Sequence, residues 1–152
     1  MSDQPEALHH SYKRVKDNEY VLGCKLCIKV SDPRIGLGVF ATEHIAKGDI
    51  IEKCPALQLG WRANYTHDPM LNRYVWQDPC KCEKCAEHGH HMYLLLGYGS
   101  LYNHSDSPNA ECDIEFRRLL GNIRALADIE AGKEITINYG EHYFNNRKKY
   151  HI

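Results

Sequence analysis

The sequence has no apolar run approaching the length of a membrane-spanning helix. Its N-terminus, Met1-Ser2-Asp3-Gln4-Pro5-Glu6, offers no basic stretch followed by an apolar one, so a secretory leader is not expected. An excess of either charge is missing as well, with 19 basic residues against 20 acidic ones. That balance gives no electrostatic footprint for nucleic acid, and no direct nucleic-acid binding is expected. No internal repeat is visible and no linker divides the 152 residues, a length that suits one domain with one core and no covalent staples. Cysteine is present in an odd count of seven, and three of the seven crowd into Cys80-Lys81-Cys82-Glu83-Lys84-Cys85. Such spacing suits a metal better than a disulfide framework and points to a reducing compartment. The expectation is a soluble intracellular protein, in cytoplasm or nucleus, without membrane attachment.

Helix periodicity is also scarce. Residues 1–19 are polar and aperiodic and read as a loose N-terminal arm. A strand is expected from Tyr20 to Val30, where apolar residues alternate toward the end. Gly36 and Gly38 read as a turn, with Val39-Phe40-Ala41 starting the next strand. Ile50-Ile51-Glu52 reads as a strand whose pairing Pro55 limits. The stretch 64–90, with Pro69, Pro79 and the cysteines, looks like an insert rather than core. His91 to Tyr98 is apolar and fits helix or strand, short strands are expected on both sides of Asn122, and Glu134 to Asn138 is a further strand. Many short strands with frequent turns argue for a mainly β fold.

Several strings stand out. Gly36-Leu37-Gly38 lies between two expected strands; alone it is an ordinary tight turn, and no third glycine opens a helix as a dinucleotide fingerprint requires. Asn103-His104-Ser105 combines donors and acceptors suited to a polar ligand, while an Asx turn explains Asn103 equally well in isolation. Pro108-Asn109 follows, and then Glu134-Ile135-Thr136-Ile137-Asn138-Tyr139-Gly140. In this order and at these distances the strings resemble the SET domain, the family of S-adenosylmethionine-dependent protein-lysine methyltransferases, over residues 20–145. The chain looks most like the compact stand-alone SET proteins of microbes and viruses. A tail, 146–152, remains outside the resemblance.

That resemblance implies a fold of several small β-sheets with short helices and a C-terminal pseudoknot. It implies S-adenosylmethionine as methyl donor, held by Gly36, Leu37, Gly38, Asn103 and His104 with Tyr139. The partner it implies is a protein bearing a lysine, a histone tail among the candidates; for a microbial protein that acts in a host, the host nucleus joins the expected locations. Tyr139 matches the tyrosine that orients the amine and the transferred methyl. The sequence departs from the family in four places. Asp106 stands where a zinc-binding cysteine follows His-Ser, and no cysteine lies beyond Cys112, so the family's tail zinc site is absent. The aromatic pair Tyr143-Phe144 is the candidate to close the site instead. Asn138 replaces an aspartate, and Cys54-Pro55 occupies the place of an upstream tyrosine, leaving Tyr98 or Tyr102 as the alternative source of a second channel tyrosine, or none.

Independently of the resemblance, Cys80, Cys82 and Cys85 carry the ligand types of a structural zinc, with His88, His90, His91 or a distant cysteine as the fourth ligand. His88 is the first choice; free thiols and redox pairing remain open. Cys24-x-x-Cys27 sits in a strand-like run and reads as buried packing. Two further functions stay in contention beside the enzyme: a non-catalytic binding module with the same fold, and a zinc-stabilised protein-interaction domain.

Overall fold

Short alternating runs become strands throughout this chain. The computed structural model describes residues 12–15 and 19–22 as backbone, and residues 25–61, 70–141, 143 and 144 in full. The strands are β1 (Tyr12–Val15), β2 (Glu19–Leu22), β3 (Leu26–Asp32), β4 (Gly36–Ala41), β5 (Ile50–Trp61), β6 (Val75–Gln77), β7 (His91–Leu95), β8 (Asn103–His104), β9 (Ala110–Glu115), β10 (Leu120–Ala125) and β11 (Glu134–Ile137). A short helix, α1 (Glu83–His88), lies between β6 and β7. One sheet has six strands in the order β1-β2-β3-β4-β11-β8, and the other has five in the order β6-β7-β5-β10-β9. The expected mainly β architecture is the one that forms. No helix among the described residues is long and apolar enough to cross a membrane.

Pro55 does not end β5; it marks a change of partner. Ile50 to Pro55 pairs with β10, and Ala56 to Trp61 pairs with β7. Proline has no N–H to give to a ladder. Its carbonyl accepts from the Leu96 N–H at 2.8 Å, while the neighbouring Ala56 N–H turns to the Leu119 carbonyl at 2.8 Å. A twelve-residue strand thereby serves two neighbours and holds the five-stranded sheet together.

Other boundaries also moved. The single strand expected from Tyr20 to Val30 is two, β2 and β3, paired antiparallel as a hairpin. Gly36 follows a turn, but Gly38 lies inside β4, opposite Lys29. Strand β1 falls within the expected arm; Cys24, residues 62–69 and the tail 146–152 lie outside the described residues. Within the stretch read as an insert, β6 pairs with β7 and contributes buried Val75, and Cys85 is buried on α1. Asn122 sits in the middle of β10, not between two strands.

Both sheets face one apolar core, in which Val39, Ile123, Ile135 and Ile137 have no exposed surface. Full burial of each such side chain contributes about 1.5–3 kcal/mol. Cys54 and Cys112 sit in or against that core as thiols, Cys112 pushed up to about 12 and Cys54 further, chiefly by burial. Beside the core stands Glu52 on β5, half-buried. Its carboxylate accepts the Tyr98 N–H at 2.8 Å and the Tyr102 hydroxyl at 2.9 Å, and so fixes the turn that leads into β8. Replacing Glu52 by alanine leaves both donors without this acceptor, at a cost of about 1–3 kcal/mol. Thermal unfolding should show a fall of about 2–4 °C per kcal/mol for a chain of this size. Glu52→Gln, which keeps one acceptor oxygen, should lose less; equal losses would show that the carboxylate does not hold the turn.

Candidate active site

The site forms where β8 lies parallel to β11, with Thr136 opposite Asn103 and Ile137 opposite His104. The Ser105 N–H extends this pairing to the Ile137 carbonyl at 2.9 Å. Asn109 completes the edge of β11 with its side chain. Its amide donates to the Glu134 carbonyl at 2.8 Å and accepts the Thr136 N–H at 2.9 Å, as a neighbouring strand would. Two distant strings are thus joined by backbone, with Asn109 as the surrogate third strand.

The asparagine amide is held just as firmly. Nδ2 of Asn103 donates to the Leu37 carbonyl at 3.1 Å and to Glu134 Oε1 at 2.7 Å. The other Glu134 oxygen accepts the Ser31 hydroxyl at 2.7 Å. Both amide protons of Asn103 are consumed, which sets the orientation of the group and leaves Oδ1 as the outward acceptor. This cluster also explains Gly38, because a Cβ there would collide with Glu134 Oε1 and lie 2.8 Å from Asn103 Nδ2. Gly36 is required for a different reason: its φ of 102° lies where side-chain-bearing residues are strained, although the space beside it is open.

His104 links the two strings a second way. Its Nδ1 accepts the Tyr139 N–H at 3.2 Å, so in the neutral ring Nε2 carries the proton and donates to Asp106 Oδ1 at 3.0 Å. Asp106 thus pairs with His104 from the solvent side. Asn138 is equally local: its Oδ1 accepts the Gly140 N–H at 2.7 Å, a turn that an aspartate would make in the same way.

Tyr139 is half-buried, and its hydroxyl donates to the Tyr102 carbonyl at 2.6 Å. Around its ring lie Tyr143 at 4.5 Å, His104 at 5.4 Å and Trp76 at 6.3 Å between centroids. Phe144 packs edge-on to His104 at 4.7 Å, and the Tyr143 hydroxyl reaches the Arg73 carbonyl at 3.4 Å. The aromatic pair thus stands against both strings and ties them to the segment before β6. Gly36, Leu37, Gly38, Asn103, His104, Tyr139, Tyr143 and Phe144 form one neighbourhood.

A second cluster lies on the loop between β6 and β7. The ligand atoms of Cys80, Cys82 and Cys85 lie within 4.8 Å of one another, a group that could hold a metal ion. His88 is outside that group: its Nε2 is 3.4 Å from Glu87, and its ring faces Trp61 at 5.7 Å. Sequence reasoning missed Ser31, Glu52, Trp76 and the role of Glu134. Their partners lie far along the chain, and only Glu134, sitting inside a recognised string, carried a local signal.

Small curled sheets, a parallel two-residue contact between an Asn-His strand and the strand before a tyrosine, and a glycine pressed against both define one class of protein. The chain belongs to the SET domain family, whose model matches residues 36–140. It is a protein-lysine methyltransferase by class. It is similar to a histone-lysine N-methyltransferase of Schizosaccharomyces pombe specific for H3 lysine 37, with 32% identity over 113 residues that cover 72% of this chain and 69% of the relative. A Plasmodium falciparum candidate histone methyltransferase of known crystal structure is also similar, with 32% identity and a TM-score of 0.58 over 79% of this chain and 96% of that one.

The Gly38–Asn103–Glu134 contact makes a double-mutant test. Glu134→Ala strips partners from Asn103 and Ser31 and should cost about 1–3 kcal/mol in denaturant unfolding. Gly38→Ala forces the same bond apart, so the double mutant should lose clearly less than the sum. Strict additivity would show that the two changes act on separate interactions.

Proposed function

We propose that this protein transfers a methyl group from S-adenosylmethionine to the side-chain amine of a lysine in a protein substrate, with Tyr139 as the catalytic residue. The observation that carries the reading is the convergence of the Asn103 amide, the Gly36–Gly38 strand and the Tyr139 hydroxyl on one junction. For the three-thiol cluster the reading is a structural zinc ion. The relatives' names support a histone tail as one substrate; other lysine-bearing proteins suit the same chemistry.

The residues fit the donor. A cationic amino end needs an acceptor, and Asn103 Oδ1 is the acceptor that the amide's fixed orientation leaves outward. Gly36, Leu37 and Gly38 offer backbone with open space beside Gly36, and His104, Tyr143 and Phe144 supply an aromatic cover. S-Adenosylmethionine, when bound, supplies an electrophilic methyl on a sulfonium. The rest is the protein's work. A lysine at its reference pKa of about 10.4 is charged at neutral pH and must lose a proton before it can attack. Walls built from Trp76, Tyr139 and Tyr143 exclude water and disfavour the ammonium form. Because Tyr139 commits its proton to the Tyr102 carbonyl, its oxygen acts toward the amine as an acceptor. Accepting an amine N–H there directs the nitrogen lone pair, which is a positioning effect rather than covalent catalysis.

Titration calorimetry with S-adenosylmethionine should give micromolar binding. Tyr139→Phe should keep that affinity within about twofold while turnover on a lysine-peptide pool falls about 10²-fold or more, the scale of losing one aligned polar group. Asn103→Ala should instead weaken cofactor binding about tenfold, equivalent to about 1.4 kcal/mol. Binding without any methyl transfer would select the non-catalytic module, and no binding at all would select the interaction domain.

A further inference from the structure

The three thiols stand on the segment that joins β6 to β7, and its base is closed by hydrogen bonds. The Asp78 N–H donates to the His91 carbonyl at 3.0 Å, and Asp78 Oδ1 accepts the Cys80 N–H at 2.9 Å. Cys82 Sγ lies 3.4 Å from Cys85 Sγ. Three sulfur ligands on a turn suit zinc, which in structural sites is four-coordinate and tetrahedral. Three histidines follow; none of them falls within the group formed by the three thiols, and their own partners tell them apart. His91 stacks on Trp61 at 3.7 Å and pairs through Nδ1 with Gln58 at 2.9 Å. His88 is directed toward Glu87 and Trp61. His90 alone of the three has a ring nitrogen, Nδ1, that is buried and without a hydrogen-bond partner. A buried polar atom left unpaired costs about 1–3 kcal/mol, a cost that a bond to a metal removes.

Resting on the zinc reading above, we propose that His90, through Nδ1, is the fourth ligand of the Cys80, Cys82 and Cys85 site, and that the ion positions Trp76 in the wall of the active site. His90 directly precedes β7, so a bond there ties the start of β7 to the thiols that follow β6. Trp76 is the middle residue of β6 and stands edge-on to Tyr139. The zinc loop therefore braces the strand that carries an active-site ring.

The test compares the full chain with His88→Ala, His90→Ala and Cys82→Ser, each purified with zinc and without chelator. Zinc per chain and zinc affinity are read by elemental analysis and by competition with a chromophoric chelator. The proposal expects one zinc in the wild type and in His88→Ala at equal affinity, and none in Cys82→Ser. In His90→Ala the affinity should fall about 100-fold or more, beyond the loss from an outer-shell partner. Wild-type affinity in His90→Ala overturns the ligand assignment while leaving the zinc reading intact. A zinc-free wild type with two thiols lost to oxidation overturns both. Trp61→Phe leaves Trp76 as the single tryptophan. Its emission should shift to the red when zinc is stripped and return on readdition; unchanged emission overturns the coupling to the active site.

Discussion

One hydrogen bond, from Asn103 Nδ2 to Glu134 Oε1 at 2.7 Å, governs how the rest of this molecule is arranged. It joins β8 to β11 across 31 residues. Ser31 on β3 fixes the far oxygen of the same carboxylate, and the Leu37 carbonyl on β4 takes the second proton of the same amide. Four strands of the six-stranded sheet are thereby registered on two side chains. The space the pair occupies excludes a Cβ at position 38, so the second glycine of the Gly-x-Gly string is there to let a polar cluster exist. A half-buried carboxylate with both oxygens used costs little, because each is charge-assisted and satisfied. The outward Asn103 oxygen is a consequence of the same bookkeeping.

Aromatic packing closes the junction on its C-terminal side. Tyr143 and Phe144 lean on Tyr139 and His104, and ring pairs of this geometry add about 0.5–1.5 kcal/mol beyond area burial. Asp106 adds the detail that makes His104 useful. By accepting from Nε2 it favours the tautomer in which Nδ1 takes the Tyr139 N–H.

What could be read from the residues follows from how local the signal was. The Gly-x-Gly, Asn-His and Tyr139 strings carry their chemistry within a few positions, and the structure does bring them together. The strand expected from Glu134 to Asn138 forms as β11, whose side chains pack by parity. The failures share a cause. Pro55 looked like a strand end because the lost N–H is visible in sequence, whereas Leu119 and Leu96, which take over the ladder around it, are not. Within residues 64–90, read as an insert, a three-residue strand has too few positions to show a period, and β6 sets Trp76 edge-on to Tyr139. Asn138 looked like a lost charge, but its oxygen makes the turn that an aspartate makes. His88, the first choice as fourth ligand beside the cysteines, ends helix α1 with its ring beside Trp61.

The turn between β7 and β8 bears on whether the fold is a catalyst or only a scaffold. Glu52 holds the Tyr98 N–H and the Tyr102 hydroxyl, which immobilises residues 98 and 102 from the β5 side. Immobilising Tyr102 also fixes its carbonyl, and that carbonyl takes the Tyr139 proton. The orientation of the Tyr139 phenol is therefore set from the β5 side, by a carboxylate that bonds neither to Tyr139 nor to the junction strands. A packed structural tyrosine needs only some partner for its hydroxyl. Here the partner is a backbone oxygen that is itself braced through Glu52. Such preorganisation removes reorientation from the barrier of a displacement reaction, and a binding module would gain nothing from it.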